Sequence, residues 1–199
     1  MGDFKLTLDE YTGRDECVRV PDGVAVIGRR AFANNRHLRA VTLPEGVRVI
    51  EEQAFASCVS LERVELPTSL EQVGKAAFRG CRSLRAVNLA DARTLTELPE
   101  ATFQRCLALE EVDLPERLES MGPSCFKNCA ALAHVEIPAG VAFIERETFC
   151  GCACLREVAL PEGLVALDAR AFWNCSALGS FALPASVDFL ADDAFGADA

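Results

Sequence analysis

The chain has 199 residues, half of them hydrophobic, and a formal net charge of -10 from 30 acidic and 20 basic side chains. A chain of this length and composition can bury a core as one domain. The acidic balance disfavours binding to a nucleic acid backbone or an anionic membrane surface, because both are negatively charged. The opening residues lack a charged leader and an apolar run, and no stretch approaches the length of a membrane span. We therefore expect a soluble chain that is not inserted into a membrane and not addressed for export.

A phenylalanine recurs along the chain at a nearly constant interval. Its positions are Phe32, Phe55, Phe78, Phe103, Phe126, Phe149, Phe172 and Phe195, with intervals of 23 residues except for one of 25. A cysteine follows most of these residues after three positions, and a leucine after six. Self-similarity at a fixed period of this length indicates a solenoid built from stacked repeats.

Each repeat contains a segment in which apolar and polar residues alternate, as in Leu61–Pro67, where Val64 and Leu66 alternate with charged side chains. This period of two predicts a half-buried strand, and proline ends it because proline donates no ladder hydrogen bond. The chain then turns and carries a second apolar pair, such as Val47 and Ile50, before it reaches the next phenylalanine. In chain order the predicted strands are Cys17–Pro21, Ala40–Pro44, Leu61–Pro67, Ala86–Leu89, Glu111–Pro115, His134–Pro138, Glu157–Pro161 and Ser180–Pro184.

One repeat is two residues longer than the others. Between Leu89 and Leu95 the chain loses the proline and reads Ala90–Thr94. We expect this insertion to bulge the loop without breaking the sheet, either as a tolerated change of length or as a contact site.

The repeated frame Leu-x-x-Val-x-Leu-Pro-x-x-Val-x-x-Ile-x-x-x-Ala-Phe-x-x-Cys resembles the BspA-like type of leucine-rich repeat, which occurs in bacterial surface proteins. The resemblance implies a leucine-rich repeat right-handed solenoid, with a parallel β-sheet on the concave face and short turns or strands on the convex face. It implies protein or surface binding without catalysis. It also assigns residues 1–17 to an N-terminal cap strand and turn, around Phe4–Leu8 and Tyr11–Gly13. Residues 18–199 then form one continuous domain of about eight 23-residue repeats.

Ten cysteines are present, and six of them occupy one repeat position beside the phenylalanine and leucine columns: Cys58, Cys81, Cys106, Cys129, Cys152 and Cys175. Their side chains should point in parallel into the core, so we expect free buried thiols and no disulfide framework. Free thiols favour a reducing compartment and hence the cytoplasm. The run Cys150–Cys154 lacks the paired spacing of a zinc site, and no metal is predicted there. Cys17 is predicted to be exposed, and Cys150 and Cys154 to be partly so.

The outward positions of the predicted concave strands form two columns, which are acidic in the middle repeats. The candidate partner-binding residues in these columns are Arg63, Glu65, Asn88, Glu111, Asp113, His134, Glu136 and Glu157. Opposite charges on two surfaces speed and steer their association, so the columns form a candidate recognition surface for a basic protein. The alternative is a solvated sheet face whose charges compensate each other.

Catalytic constellations are missing from the sequence. His37 and His134 are the two histidines and sit at different repeat positions, and no phosphate-binding glycine loop or nucleophile elbow appears. We therefore predict a non-catalytic, monomeric protein-protein interaction module without cofactor, metal or nucleic acid, located in the cytoplasm. The alternatives are an adhesive segment of a bacterial surface protein, which would place the chain at the cell surface, or the recruiting or leader part of a larger polypeptide.

Overall fold

The computed structural model describes residues 6–179 and 182–196, in which the chain winds as a solenoid of parallel strands. In chain order the strands are β1 (Leu6–Leu8), β2 (Cys17–Arg19), β3 (Val24–Ile27), β4 (Ala40–Thr42), β5 (Val49–Ile50), β6 (Arg63–Glu65), β7 (Gln72–Val73), β8 (Ala86–Val87), β9 (Glu97–Leu98), β10 (Ser120–Met121), β11 (His134–Glu136), β12 (Phe143–Ile144), β13 (Glu157–Ala159), β14 (Ala166–Leu167) and β15 (Phe189–Leu190). The predicted solenoid of parallel strands is confirmed.

Each repeat forms one coil of the solenoid, and the coils are numbered by their phenylalanines, from Phe32 in the first coil to Phe195 in the last. Each coil has three sides. The front side carries the strands predicted from the alternating segments, paired in the order β2-β4-β6-β8 and then β11-β13. The back side carries the short strands β1-β3-β5-β7, β9-β10 and β12-β14-β15. The third side, here called the turn side, holds the repeated phenylalanine. Strands in neighbouring coils pair one full repeat apart, as Val41 opposite Val64 shows.

The front sheet is interrupted in its middle, contrary to the sequence-based expectation. Among the described residues, 111–114 occupy the place of the predicted fifth front strand and form no strand. The coil before them holds the insertion, which the structure folds into a single 3-10 turn over Leu89–Asp91. This turn ends β8 after Val87, so the following segment has no complete strand to pair with. The last predicted front strand cannot be compared in full, because Ser180 and Phe181 lie outside the described residues.

The N-terminal segment covers the first coil. Strand β1 lies parallel to β3, and the Tyr11 ring stacks on the Phe32 ring with centroids 5.0 Å apart. The Tyr11 N–H donates to the carbonyl of Ala31 at 2.8 Å. The part of the predicted cap at Phe4 and Lys5 lies outside the described residues. Within the described part, Tyr11 provides the aromatic contact that a preceding coil would otherwise supply.

The turn side is an unbroken stack of rings and thiols. Successive phenylalanine rings from Phe32 to Phe195 lie 4.9 to 5.5 Å apart and nearly parallel. Each cysteine of the repeat donates its S–H to the carbonyl of the phenylalanine in the preceding coil at 3.0 to 3.2 Å. We call these six cysteines the thiol ladder. The rings from Phe32 to Phe172 and all six thiols of the ladder are buried, and Phe195 at the end of the stack is partly exposed. The stack is therefore a continuous part of the close-packed core.

The turn around each phenylalanine uses left-handed backbone on both flanks. Residues two positions before and two positions after the ring have positive φ, as at Gln53 and Ser57 around Phe55. Left-handed backbone is costly for residues other than glycine and is mildest for asparagine. Glycine or asparagine fills the later position in several coils, at Asn34, Gly80, Asn128, Gly151 and Asn174. At most of the other positive-φ positions the backbone is held by a hydrogen bond to the next coil, such as the one from the Ser57 N–H to the Arg79 carbonyl at 2.7 Å.

Candidate functional site at the break in the front sheet

The interruption of the front sheet opens a depression on its outer surface. The depression has a volume of about 440 Å³ and lies between residues 111–116 and strand β11. It is lined by Val112, Asp113, Leu114, Glu116, His134, Glu136, Pro138 and Ala139. We call it the acidic groove, because its charged side chains are Asp113, Glu116 and Glu136.

The polar side chains of the groove are held by buried neighbours in the chain. On β11, Val135 is fully buried, so the alternation of the strand turns His134 and Glu136 outward. On the opposite wall, Val112 is buried and Asp113 is exposed, although no strand forms there. Because apolar neighbours anchor both walls, the carboxylates are presented to solvent from a fixed backbone.

The groove is negatively charged, and its three carboxylates have no Lys or Arg partner among the described residues. No Lys or Arg nitrogen in the described part of the chain lies within 4.0 Å of the Asp113, Glu116 or Glu136 carboxylates. His134 lies at its edge, with Nδ1 3.8 Å from Oε2 of Glu157, and both side chains are more than half exposed. The three carboxylates are therefore not engaged by a basic side chain of the described residues and keep their charge exposed to solvent.

The other predicted site residues lie outside this depression. Glu111 is exposed on the same segment but does not line the groove. Glu157 does not line it either, although its carboxylate lies beside the ring of His134, which does. Arg63 and Glu65 lie on β6 and pair with each other at 3.6 Å, and the Thr42 hydroxyl donates to Glu65 at 2.9 Å. On the front side, some charged side chains before the break therefore pair with each other, whereas the charged groove after the break is acidic.

Asn88 has a structural role at the point where the front sheet stops. Its Oδ1 accepts the backbone N–H of Leu66 at 2.8 Å, and its Nδ2 donates to the Leu66 carbonyl at 3.0 Å. The amide also donates to Asp91 in the insertion at 2.9 Å. The side chain thus replaces the strand pairing that β8 would make if it continued, and its polar atoms are engaged within the chain.

Sequence reasoning missed Glu116 and the apolar lining of the groove. Glu116 lies outside the two outward columns because it follows Pro115, at the position that Glu45 and Glu162 hold after their own strand-ending prolines. That repeated acidic position was a usable signal. The partial exposure of Leu114 and Pro138 carried no such signal, because it depends on the break in the sheet.

The cysteines are free, and their burial controls their chemistry. Burial raises the pKa of Cys58 to about 12 and holds the pKa of Cys81, Cys106 and Cys129 well above the usual thiol range. Cys17 and Cys154 are exposed, whereas Cys150, expected to be partly exposed, is buried. Within residues 6–179 and 182–196, no group of three His, Cys, Asp or Glu side chains is arranged to hold a metal ion. The thiol ladder is therefore unreactive core material.

No helix in the described ranges is both long enough and apolar enough to cross a membrane.

The repeat architecture matches one protein family. Residues 12–132 and 91–198 match the family model of the BspA type leucine rich repeat region, in six copies. The chain belongs to this family, and the resemblance seen in the sequence is confirmed. None of the curated proteins matches the chain.

Solved structures show the same fold. The chain is 33% identical to the leucine-rich repeat protein TpLRR of T. pallidum, with a TM-score of 0.80 over 87% of this chain and 81% of that one. It is also similar to a leucine-rich repeat protein from Eubacterium ventriosum, with 21% identity, a TM-score of 0.63, and coverage of 96% of this chain and 46% of that one. The second likeness concerns the fold alone.

Proposed function

We propose that the chain is a non-catalytic protein-interaction module that binds a basic segment of a partner protein in the acidic groove. The single observation that carries this proposal is the depression at the sheet break, which brings Asp113, Glu116 and Glu136 together with no Lys or Arg nitrogen of the described residues within 4.0 Å of them. Membership of a leucine-rich repeat family supports the interaction role in general. That the partner segment is basic is inferred from the acidic lining of the groove alone.

The shape of the groove fits a lysine or arginine side chain on an extended segment. Its wall contains Leu114, Pro138 and Ala139 beside the carboxylates. Long basic side chains have apolar stems and charged ends, so they can contact both kinds of surface at once. Electrostatic attraction of this kind raises the association rate, and it weakens as salt screens the charges.

The test compares three forms of the intact chain in quantitative pull-downs from lysate of the source organism. The groove variant carries Asp113→Lys, Glu116→Lys and Glu136→Lys. The matched control carries Asp22→Lys, Glu97→Lys and Glu119→Lys, three exposed acids without a salt bridge within the described residues, so that both variants change the net charge equally. We expect one protein to be enriched by the wild type and the control and lost from the groove variant. The purified partner should then bind more weakly as the salt concentration rises.

Equal enrichment by the groove variant and the control would contradict the proposal, provided that circular dichroism shows both variants folded. Enrichment that survives high salt unchanged would also contradict an electrostatic groove.

We further propose that the chain works in the cytoplasm, because ten free cysteines are easiest to maintain in a reducing compartment. Antibody labelling of intact cells, compared with labelling of lysed cells, tests this compartment. Labelling of intact cells would instead place the chain at the cell surface, the location expected for an adhesive segment.

A further inference from the structure

A second depression lies on the turn side of the first four coils, and its charge is opposite to that of the acidic groove. Its volume is about 310 Å³, and its walls include Arg30, Arg79, Arg82 and Arg105. We call it the arginine groove. All four arginines are exposed, and together they place four positive charges around one recess of a chain whose net charge is -10.

Small side chains on the turn side create the recess. Ala33 and Ala56 follow the phenylalanines of the first two coils and line the groove. Later coils carry Lys127 and Trp173 at the corresponding position. The arginines come from the first, third and fourth coils and hold different repeat positions: Arg30 precedes its phenylalanine by two residues, whereas Arg79, Arg82 and Arg105 follow theirs by one, four and two. Neighbouring coils are stacked about one strand spacing apart, roughly 4.8 Å. The same position holds Arg79 in the third coil and Gln104 in the fourth, so the recess lies beside the two alanines and is bordered by the arginines.

The four guanidinium groups form no salt bridge with the residues that the structure describes. In the described part of the chain, no carboxylate oxygen lies within 4.0 Å of their nitrogens. Two acids that stand three residues before a repeated phenylalanine form salt bridges with other basic side chains. Glu52 pairs with Arg29 at 3.4 Å, and Glu100 pairs with Lys75 at 2.6 Å. An acidic protein with many free carboxylates thus keeps one arginine cluster open to solvent.

We propose that the arginine groove binds a small phosphate-type polyanion. The planar fork of arginine donates two parallel hydrogen bonds to a phosphate, which makes arginine the preferred residue for this chemistry. Asn34 and Ser57 also line the recess and add neutral donors. The volume lies at the small end of the range for ligand sites, about 300 to 1,000 Å³, and so fits a group with one to three phosphates.

Two sources share this chemistry, a free diphosphate-type compound and a phosphorylated side chain of a protein. Isothermal titration calorimetry of the intact chain with inorganic pyrophosphate is the first arm of the test. The groove variant is Arg79→Gln with Arg105→Gln, and the matched control is Arg19→Gln with Arg93→Gln, two exposed arginines away from the groove. We expect saturable binding to the wild type and the control, and affinity at least about tenfold lower for the groove variant, because each lost guanidinium removes charge-assisted hydrogen bonds.

The second arm replaces pyrophosphate with a short phosphoserine peptide and with the same peptide carrying glutamate. Tighter binding of the phosphoserine peptide than of pyrophosphate assigns the site to a phosphorylated protein segment, whereas tighter binding of pyrophosphate assigns it to a free compound. Equal affinity for the glutamate and phosphoserine peptides would overturn the phosphate assignment. Absence of saturable binding, or equal binding by the groove variant and the control, would overturn the site itself. Neither arm changes a residue of the acidic groove. Failure of the phosphate proposal can therefore be distinguished from failure of the proposed protein-binding function.

Discussion

The turn side and the front side of the solenoid respond differently to the same insertion of two residues. On the turn side, the rings of Phe78 and Phe103 stack across the long repeat at 5.3 Å and within 2° of parallel. The Cys106 thiol still donates to the Phe78 carbonyl at 3.2 Å. On the front side, the strand after the insertion is missing and the sheet falls into two parts. The back side is interrupted at the same coil, because β7 and β9 belong to separate groups of paired strands. The insertion is therefore absorbed away from the turn side, and its clearest effect is the missing front strand.

The difference follows from what each side buries. Phe78, Phe103 and Cys106 are fully buried, so a shift in their register would open voids in a densely packed core. Asp91 and Arg93 in the insertion are exposed, and their displacement costs little. The turn side thus maintains the stacking of the coils, while the front side can diverge and form a groove. Three experiments test this division.

The largest expected effect is loss of stability at alkaline pH, which acts on the turn side through the thiol ladder. Burial raises the pKa of these thiols in the folded state above their unfolded value of about 8.5. Their stabilising contribution is complete below that value and is lost as pH rises toward the folded pKa. Each thiol should lower the free energy of unfolding by roughly 1.4 kcal/mol per pH unit in this window. Urea denaturation between pH 8 and pH 10, in reducing buffer, measures the slope.

The thiol contribution is separated from that of other groups by the double variant Cys106→Ala with Cys129→Ala. Its slope against pH should be shallower by roughly 2.7 kcal/mol per pH unit, because two titrating groups are gone. An unchanged slope would show that the buried thiols do not control alkaline stability.

A smaller effect is expected from Phe103→Ala, which removes one ring from the stack beside the insertion. Phe103 is fully buried between Phe78 and Phe126, so its loss should cost about 3 to 5 kcal/mol of unfolding free energy. Phe143→Ala is the matched control, because Phe143 lies on the back side with 53% of its surface exposed. Urea denaturation of both variants should show a much smaller loss for Phe143→Ala. Equal losses would refute the view that the turn side maintains the stacking.

The smallest effect is expected at the front, from Asn88→Ala. This change removes the two side-chain hydrogen bonds to the backbone of Leu66, each of which contributes about 1 kcal/mol, and an exposed one to Asp91 that contributes less. We expect a loss of about 2 kcal/mol in urea denaturation. Asp113→Ala, on the same column but exposed, serves as the control and should change stability by less than about 0.5 kcal/mol. A loss for Asn88→Ala no larger than for Asp113→Ala would mean that the sheet end needs no side-chain support.

Much of the fold was predictable because every coil repeats the same environment. The phenylalanine and cysteine columns recur at one interval, and identical spacing places them in one stack. The candidate site was predictable in part: Asp113, His134 and Glu136 were named from the outward columns and line the acidic groove. Glu116 was missed because it lies beyond the strand. Asn88 was named for the same surface, yet its amide is used to close the sheet.

The sequence by itself determined the solenoid, the coil length, the buried ring and thiol columns and the acidic outward columns, because periodicity in the chain becomes alignment between coils. Tertiary structure alone decided where the front sheet breaks, which carboxylates share a groove, and that four arginines line one recess with Ala33 and Ala56. It also decided the left-handed backbone at residues such as Gln53 and Ser57. These features depend on packing and hydrogen bonds between coils, and the repeat pattern records only which residues are equivalent, not how one altered coil displaces its neighbours.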